Sequence, residues 1–310
     1  MPSIVRRARP LPLAVIVAAM ALGSACSSSP SSPTPGGGTT GNRGGDPPST
    51  GLTAVMLGVG DIGMCNRPAV AQTARLVAGL EGGLLLAGDI AYYQGTAENF
   101  RDCFNPEWGR FRSRWHAVPG NHDYESAGAG PYFDYFGAAA GSDRSGYHAF
   151  MAGDWLILML NSNIAAGRGS SQWEFVRQQL EAQRTPCTMA VWHHPLFTSG
   201  PNGNNAFMRD MWSLLEGARV EIVLNGHDHL YERFARQLAN GTADPANGIR
   251  QITAGTGGAD LSNFVRVAPN SETRILQHGV VRFTLKPALV EWAFMGVDGS
   301  VSDPGLDTCR

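Results

Sequence analysis

Five short segments of the sequence place metal-ligating residue types directly after apolar runs. Carboxylates, an amide and imidazoles together suit transition metals such as zinc, manganese and iron, whereas calcium sites are built of oxygen ligands only. Two such metals about 3.5 to 4 Å apart need a shared ligand, and a carboxylate can bridge them. The five segments are "GDIG" at 60–63, "GDIAYY" at 88–93, "GNHD" at 120–123, "WHHP" at 192–195 and "GHDH" at 226–229.

The last segment carries the most information of the five. Gly226 allows the chain to bend sharply, and His227 and His229 are separated by one residue, so that the two imidazoles can reach neighbouring metals. A single Gly-Asp pair is more typical of an ordinary turn. The five segments in combination therefore predict a metal centre that none of them predicts alone.

The elements that must position these residues are predicted from alternating apolar runs and helical patterns, which favour βαβ units. Loops beyond the carboxyl ends of strands form the binding crevice of an α/β sheet, so segments that span about 170 residues are expected to converge. Strands are predicted within 52–60, 83–89, 115–123, 146–150, 154–163, 187–195 and 218–229, and helices within 69–80, 171–183 and 205–217.

The C-terminal part of the chain lacks helical patterns. It contains consecutive apolar stretches at 248–258, 278–286 and 288–303, which predict strands joined by turns. We expect these strands to form a second sheet packed on the first. No internal repeat is visible, so the sequence predicts one α/β catalytic domain from residue 52 to residue 310.

Composition excludes one class of partner. The chain has 310 residues, a formal net charge of -2 and no long run of like charge, so no basic patch for nucleic-acid binding is evident. Hydrophobic residues make up 43% of the chain, which is enough for a sizeable core. A small-molecule substrate is therefore favoured, and the sequence leaves the oligomeric state open.

The N-terminus predicts export. Arginines at positions 6, 7 and 9 precede an apolar stretch at 11–22, which is shorter than the roughly 20 residues of a membrane span. The predicted signal peptide is 1–25, and the Ser/Pro/Gly-rich tether is 26–51. "ALGSAC" resembles a bacterial lipobox, which implies a lipid anchor at Cys26 in the bacterial cell envelope. Cleavage after Ala25 without lipidation, giving a periplasmic or secreted protein, is the alternative.

Four further cysteines suit an oxidising compartment: Cys65, Cys103, Cys187 and Cys309. Three full pairings are possible, and the sequence does not choose among them. One hypothesis is a Cys65 to Cys103 bridge that braces two loops of the site.

Taken in order, the five segments resemble the motifs of the calcineurin-like metallophosphoesterase superfamily, and within it the purple acid phosphatases. Asp-x-Gly at 61–63 and G-D-x-x-Y at 88–92 are similar to the purple acid phosphatase pattern. "GHDHLYER" at 226–233 and the Gly-rich "ITAGTGG" at 252–258 extend the resemblance. It implies a two-sheet β-sandwich flanked by helices, in four αββα layers.

The resemblance also implies two groups of metal ligands that share Asp89 as the bridge. The first group would hold Fe3+ and consists of Asp61, Asp89, Tyr92 and His229. The second group would hold Fe2+, Zn2+ or Mn2+ and consists of Asp89, Asn121, His193 and His227.

Three more residues receive roles from the same resemblance. His122 is similar to a family histidine that contacts phosphate and protonates the leaving oxygen, with Asp123 orienting it; the alternative is a turn histidine fixed by Asp123. For His194 two roles stay open, substrate contact or packing beneath the sheet.

These residues predict a metal-dependent phosphoester hydrolase. Two cations lower the pKa of bound water from 15.7 towards about 7, which supplies a hydroxide nucleophile, and they offset charge on the phosphate. The resemblance favours small phosphate monoesters as substrates. The alternatives are a phosphodiesterase or nucleotidase on the same metals, and a surface lipoprotein that binds without catalysis.

Overall fold

A computed structural model describes residues 51–141, 143–183, 185 and 187–310. The predicted signal peptide and the predicted tether up to residue 50, including Cys26, lie outside the described residues. Among the helices that the structure describes, none combines the length and the apolarity that a membrane span requires.

The described residues form strands and helices in the following order. The strands are β1 Ala54–Val59, β2 Gly83–Ala87, β3 Trp115–Val118, β4 His148–Ala152, β5 Trp155–Met159, β6 Cys187–Val191, β7 Ile222–Asn225, β8 Tyr231–Phe234, β9 Arg250–Ala254, β10 Ser271–Ile275, β11 Gly279–Lys286, β12 Leu289–Gly296 and β13 Val301–Thr308. The α-helices are α1 Pro68–Ala78, α2 Ala97–Asn99, α3 Asn105–Trp108, α4 Asn121–Tyr124, α5 Gly130–Phe136, α6 Ser171–Ala182 and α7 Arg209–Gly217. The 3₁₀ or π segments are Phe100–Phe104, Gly109–Arg114, Ala127–Ala129, Gly137–Ala140 and Ala206–Met208.

The strands form two sheets, each of which contains a block of parallel strands. The first sheet has the order β13-β12-β11-β1-β2-β3, in which β1, β2 and β3 are parallel. The second has the order β10-β8-β9-β7-β6-β5-β4, in which β5, β6, β7 and β9 are parallel. The remaining strands, β4, β8 and β10 to β13, are antiparallel to their neighbours. The parallel strands therefore end at one edge of each sheet.

The expected four-layer arrangement is confirmed by the buried side chains. Strand residues alternate between two apolar layers because both faces of each sheet are covered. In β1, Met56 joins the core between the sheets, whereas Leu57 joins the core under α1 and the aromatic turns. In β5, Ile157 faces the first sheet, whereas Leu158 packs in the layer of α6 and α7.

The expectation that the C-terminal strands build the second sheet is wrong. β11 pairs with β1, with Met56 opposite Phe283, so β11 to β13 extend the first sheet. β9 instead lies between β7 and β8 in the second sheet. The reason is that β1 has β2 on one side only, and its other backbone edge is satisfied by β11. β8 and β10 were not predicted.

Two disulfides join distant parts of the chain. Cys65–Cys103 is present as hypothesised and links the loop after β1 to the turn Phe100–Phe104. Cys187–Cys309 links the start of β6 to the residue that follows β13. The second bridge therefore connects the two sheets.

A buried carboxyl lies near the second bridge. Glu221 is fully buried before β7 and accepts hydrogen bonds from the backbone N–H of Thr188 at 2.9 Å and of Arg310 at 3.1 Å. Burial raises the pKa of Glu221 from its ordinary value of 4.5 to about 7, and these hydrogen bonds offset only part of that effect.

Replacing Glu221 with Gln should remove a pH dependence of stability. Between pH 4.5 and about 7 the folded protein keeps the Glu221 proton, whereas the unfolded chain loses it, so stability falls as pH rises. Over this range the free energy of unfolding of the wild type should fall by up to about 3 kcal/mol more than that of Glu221→Gln. Guanidinium unfolding at several pH values measures it. Glu181→Gln, at an exposed glutamate of α6, is the control, and parallel pH curves for the wild type and Glu221→Gln would contradict the prediction.

Candidate metal centre

The five predicted segments lie at the carboxyl ends of parallel strands. Asp61 and Asp89 follow β1 and β2 by two residues, and Asn121 follows β3 by three. His193 and His227 follow β6 and β7 by two residues. The two sheets are joined at this edge, because the Gly60 N–H at the end of β1 donates to the Ala254 carbonyl of β9 at 2.9 Å. The structure therefore brings all five segments together.

Four side chains of the first predicted group meet at the hydroxyl of Tyr92. This hydroxyl donates to Asp61 Oδ1 at 2.9 Å and lies 3.2 Å from Asp89 Oδ2. His229 Nε2 lies 2.9 Å from the Tyr92 hydroxyl and 3.4 Å from Asp61 Oδ1. All four predicted ligands of the first group thus converge on one point.

The second predicted group shares Asp89 with the first. His193 Nε2 lies 3.2 Å from Asp89 Oδ2 and 3.1 Å from Asn121 Oδ1. The other ring nitrogen of His193, Nδ1, is fixed by the carbonyl of Ala87 at 2.8 Å. The ring of His227 lies 5.0 Å from the ring of His193, measured between centroids. Asp89 therefore occupies the position that a bridging ligand would need.

Backbone conformation helps to aim these side chains. Asp61, Asp89 and His227 have φ values of 60°, 51° and 73°. Residues other than glycine adopt this left-handed region rarely, and such strain is concentrated at functional sites. Backbone N–H groups then hold one oxygen of each carboxylate: His227 N donates to Asp61 Oδ2 at 2.8 Å, and His122 N donates to Asp89 Oδ1 at 2.8 Å.

Two glycines leave room for ligands from neighbouring strands. A Cβ on Gly226 would lie 2.5 Å from Asp61 Oδ2 and 2.7 Å from the Ala87 carbonyl oxygen. A Cβ on Gly120 would collide with the carboxylate of Asp89. These glycines are therefore required for close approach, so that each segment accommodates the carboxylate of another.

The two buried carboxylates of the site need positively charged partners. Asp61 and Asp89 are 0% and 1% exposed, and the charged partners described for them are histidines. Burial would raise the pKa of Asp89, but the charges of His193 and His122 lower it below its ordinary range. Burial would likewise lower the pKa of His193 and His229, but their carboxylate partners raise both to about 9. Oxygen and nitrogen donors around two buried negative charges fit a pair of metal cations.

His122 lies at the mouth of the centre, but Asp123 does not hold its ring. The Nδ1 of His122 is bonded to the carbonyl of Tyr93 at 2.6 Å, and its Nε2 lies 4.0 Å from Asp89 Oδ2. The buried Asp123 accepts from the backbone N–H of Gly120 at 2.8 Å instead. In the described residues the orienting group expected for His122 is thus replaced by a backbone carbonyl, because the Asp123 carboxylate turns back to close the turn before α4.

His194 is half-buried and lies beside the centre. Its ring lies 4.5 Å from that of His227 and 4.9 Å from that of His193, measured between centroids. Its Nδ1 is 2.8 Å from the hydroxyl of Ser162. Burial, together with the neighbouring histidines, lowers the pKa of His194 to about 2.

Two buried carboxylates that hold the loop 196–205 were not predicted from the sequence. Asp228 accepts from the Thr198 hydroxyl at 2.5 Å, and Glu232 accepts from the Ser199 backbone N–H at 2.8 Å. Both acids are fully buried. Their positions within "GHDHLYER" were visible, and a buried acid usually has a dedicated partner, but partners about 30 residues away cannot be inferred from local sequence.

The sequence matches a family of phosphoesterases over the range that contains this centre. The family model of calcineurin-like phosphoesterases matches residues 56–231. The matched range contains all of the predicted ligands.

Several plant enzymes have similar sequences. Purple acid phosphatase 15 of Arabidopsis thaliana is 27% identical over 212 residues, which cover 56% of this chain and 40% of that protein. Purple acid phosphatase 18 of the same plant is 30% identical over 198 residues, which cover 56% of this chain and 43% of that protein. The chain therefore matches less than half of the length of these relatives.

Solved structures show the same fold. The purple acid phosphatase PPD1 from yellow lupin (Lupinus luteus) superposes with a TM-score of 0.71 at 18% identity, covering 84% of this chain and 55% of that one. GAP50, the anchor in the inner membrane complex of Plasmodium, superposes with a TM-score of 0.62 at 12% identity, covering 83% of this chain and 89% of that one. At these identities the likeness extends to the fold alone.

Replacing Gly226 with Ala should weaken metal binding. The added Cβ forces Asp61 or the turn before His227 to move, since it would lie 2.5 Å from the Asp61 carboxylate. We expect a loss of about 1 to 3 kcal/mol in the free energy of unfolding and a loss in Zn2+ affinity of roughly tenfold or more. Chelator-treated protein titrated with Zn2+, with the melting temperature as readout, measures both effects.

The matched control is Gly217→Ala at the end of α7, where a Cβ would meet nothing within 4 Å. This variant should keep the wild-type stability gain on adding Zn2+. Equal Zn2+ affinities for the two variants would show that Asp61 does not depend on the space above Gly226.

Proposed function

Because the chain belongs to the calcineurin-like phosphoesterase family, we propose that it hydrolyses phosphate monoesters with two metal cations held by the seven converging ligands. The observation that carries this proposal is the shared position of Asp89, whose Oδ2 lies 3.2 Å from the Tyr92 hydroxyl and 3.2 Å from His193 Nε2. A pair of cations needs a shared ligand between its two donor groups, and a carboxylate can bridge the metals.

The donor chemistry supports the proposal of a different cation for each group. Asp61, Tyr92 and His229 add a carboxylate, a phenol and an imidazole to Asp89, a set that suits Fe3+. Asn121, His193 and His227 add an amide and two imidazoles, a set that suits Zn2+, Fe2+ or Mn2+. When bound, the cations lower the pKa of water and offset the charge of the phosphate.

The protein's own contribution to the chemical step is a positioned acid. Tyr93 fixes Nδ1 of His122 through its carbonyl, which leaves Nε2 facing the centre, 4.0 Å from Asp89 Oδ2. In its imidazolium form, His122 can donate the Nε2 proton to the leaving oxygen. The side chain is partly exposed, so it can exchange that proton with solvent between turnovers.

Retention of the whole ligand set favours catalysis over binding alone. A binding protein on the same fold has no need to keep a bridging carboxylate, six further ligands and an acid beside them. The buried carboxylates also repel each other without cations, so they would be costly to keep without a function. We therefore regard the non-catalytic alternative as the weaker one.

Activity measurements test the proposal directly. The purified protein loaded with Fe3+ and Zn2+ should hydrolyse p-nitrophenyl phosphate, and Asp89→Asn should lower kcat/KM by at least about a thousandfold because the bridge is lost. His122→Ala should lower kcat by roughly 10²- to 10⁴-fold, and more for alkyl than for p-nitrophenyl esters, since alcohol leaving groups need the proton more.

Asp134→Asn, at an exposed aspartate on α5, is the matched control and should keep full activity. Faster turnover of bis(p-nitrophenyl) phosphate or of nucleotides than of p-nitrophenyl phosphate would favour the diesterase or nucleotidase alternative. Protein with two metals bound and no hydrolysis of any phosphoester would leave the binding role as the correct one.

Tyr92 provides a spectroscopic test of the first cation. If Fe3+ binds Tyr92, the loaded protein should have a broad visible absorption band from charge transfer between tyrosinate and iron, and Tyr92→Phe should remove it because the phenol oxygen is the donor. Tyr135→Phe, whose hydroxyl donates to Asn105 far from the centre, should keep the band. A band that persists in Tyr92→Phe would rule out tyrosinate ligation at this position.

A further inference from the structure

We propose that His194 is a third imidazole ligand of the second cation, and that it makes this half of the centre selective for Zn2+ over Mn2+. This inference rests on the proposed two-metal function and adds a ligand to it. The juxtaposition that carries it is the group of His193, His194 and His227, in which one ligand atom of each residue lies within 4.8 Å of the others.

The distances are close to those of a common coordination sphere. Nitrogen ligands at about 2.0 to 2.1 Å from one zinc ion lie up to roughly 4 Å apart. One ligand atom of each of the three imidazoles lies within 4.8 Å of the others, so small side-chain movements would bring them into such a sphere. The rings of His194 and His227 are already 4.5 Å apart between centroids.

The buried hydroxyl of Ser162 fixes which nitrogen of His194 is available. Ser162 Oγ lies 2.8 Å from His194 Nδ1 and accepts from the His194 backbone N–H at 3.1 Å. With Nδ1 engaged, Nε2 is the ring nitrogen that can bind a cation. A hydrogen bond to the second ring nitrogen is the usual way in which a protein orients a metal-binding histidine.

The local backbone explains how two adjacent histidines reach one site. Neighbouring side chains in a strand point to opposite faces, but β6 ends at Val191 and both histidines lie beyond it. Their rings are 4.9 Å apart between centroids and nearly perpendicular, at 81°. The alternation of a strand therefore does not separate His193 from His194.

Ligand chemistry then predicts the selectivity. Imidazole suits zinc, whereas carboxylate and carbonyl oxygens suit manganese and magnesium. A half-site with three imidazoles, one amide oxygen and one shared carboxylate is richer in nitrogen than one with two imidazoles. Removing His194 should thus reduce Zn2+ affinity far more than Mn2+ affinity.

The rival role for His194 is a contact to bound phosphate without a metal bond. Such a contact would change KM for substrate and the inhibition constant for inorganic phosphate. It would leave the affinity of the substrate-free protein for metals unchanged. Metal affinity measured without substrate therefore separates the two roles.

The test compares Zn2+ and Mn2+ binding to the full-length, chelator-treated protein by competition with a chromophoric chelator. In His194→Ala, one of the two Zn2+ sites should lose at least roughly tenfold in affinity, the loss that removing a group behind a metal ligand can already cause. Mn2+ affinity should change by less than about threefold, in keeping with its preference for oxygen ligands. Ser162→Ala should fall between His194→Ala and wild type, because Nε2 remains but loses its orientation.

The control variant is His148→Gln on β4, outside the site, which should bind both metals like wild type. A wild-type Zn2+ to Mn2+ preference in His194→Ala would overturn the proposal, and an accompanying rise in KM would assign His194 to phosphate. Failure of the wild type to bind a second metal would overturn the two-metal function as well. A wild type that binds two metals and hydrolyses p-nitrophenyl phosphate, together with an unaffected His194→Ala, would overturn only the role of His194.

Discussion

Asp61 and Asp89 are shielded from water, and both lie within hydrogen-bonding distance of the Tyr92 hydroxyl. Two negative charges in such a small, dry space repel each other unless cations lie beside them. In the described part of the chain, histidines provide the charged contacts to these acids. The ring nitrogens of these histidines also lie where they could hold metals. Charge balance and metal binding are thus two consequences of one arrangement.

The fold meets this constraint with its backbone. Parallel strands from two sheets end at a common edge, and hydrogen bonds between strand ends, such as Gly60 N to Ala254 O, hold the sheets together there. Glycines at these ends admit the acids from neighbouring segments, as Gly120 does for Asp89. The backbone at both acids lies in the left-handed region. The strain of that backbone is tolerated because packed strands on both sides fix the chain.

The sequence predicted local structure better than long-range pairing. Strands β1, β2 and β5 to β7 were evident because residues buried on both sides form continuous apolar runs. The position of β11 beside β1 could not be predicted. β11 lies about 220 residues after β1 in the chain, and no local pattern encodes which of the two sheets it joins. β8 has a buried Glu232 and a half-buried Arg233, so it lacks the continuous apolar run that predicts a buried strand. β10 alternates between half-buried and exposed positions, so it too lacks a continuous apolar run.

In the candidate metal centre, too, some groups could be predicted from the sequence and others could not. Residue types at strand ends identified the candidate metal ligands, because few side chains can perform that chemistry. The groups that orient histidines of the centre have ordinary chemistry: the Tyr93 carbonyl behind His122 and the Ser162 hydroxyl behind His194. Any carbonyl or hydroxyl could do this, so only the fold reveals which one does.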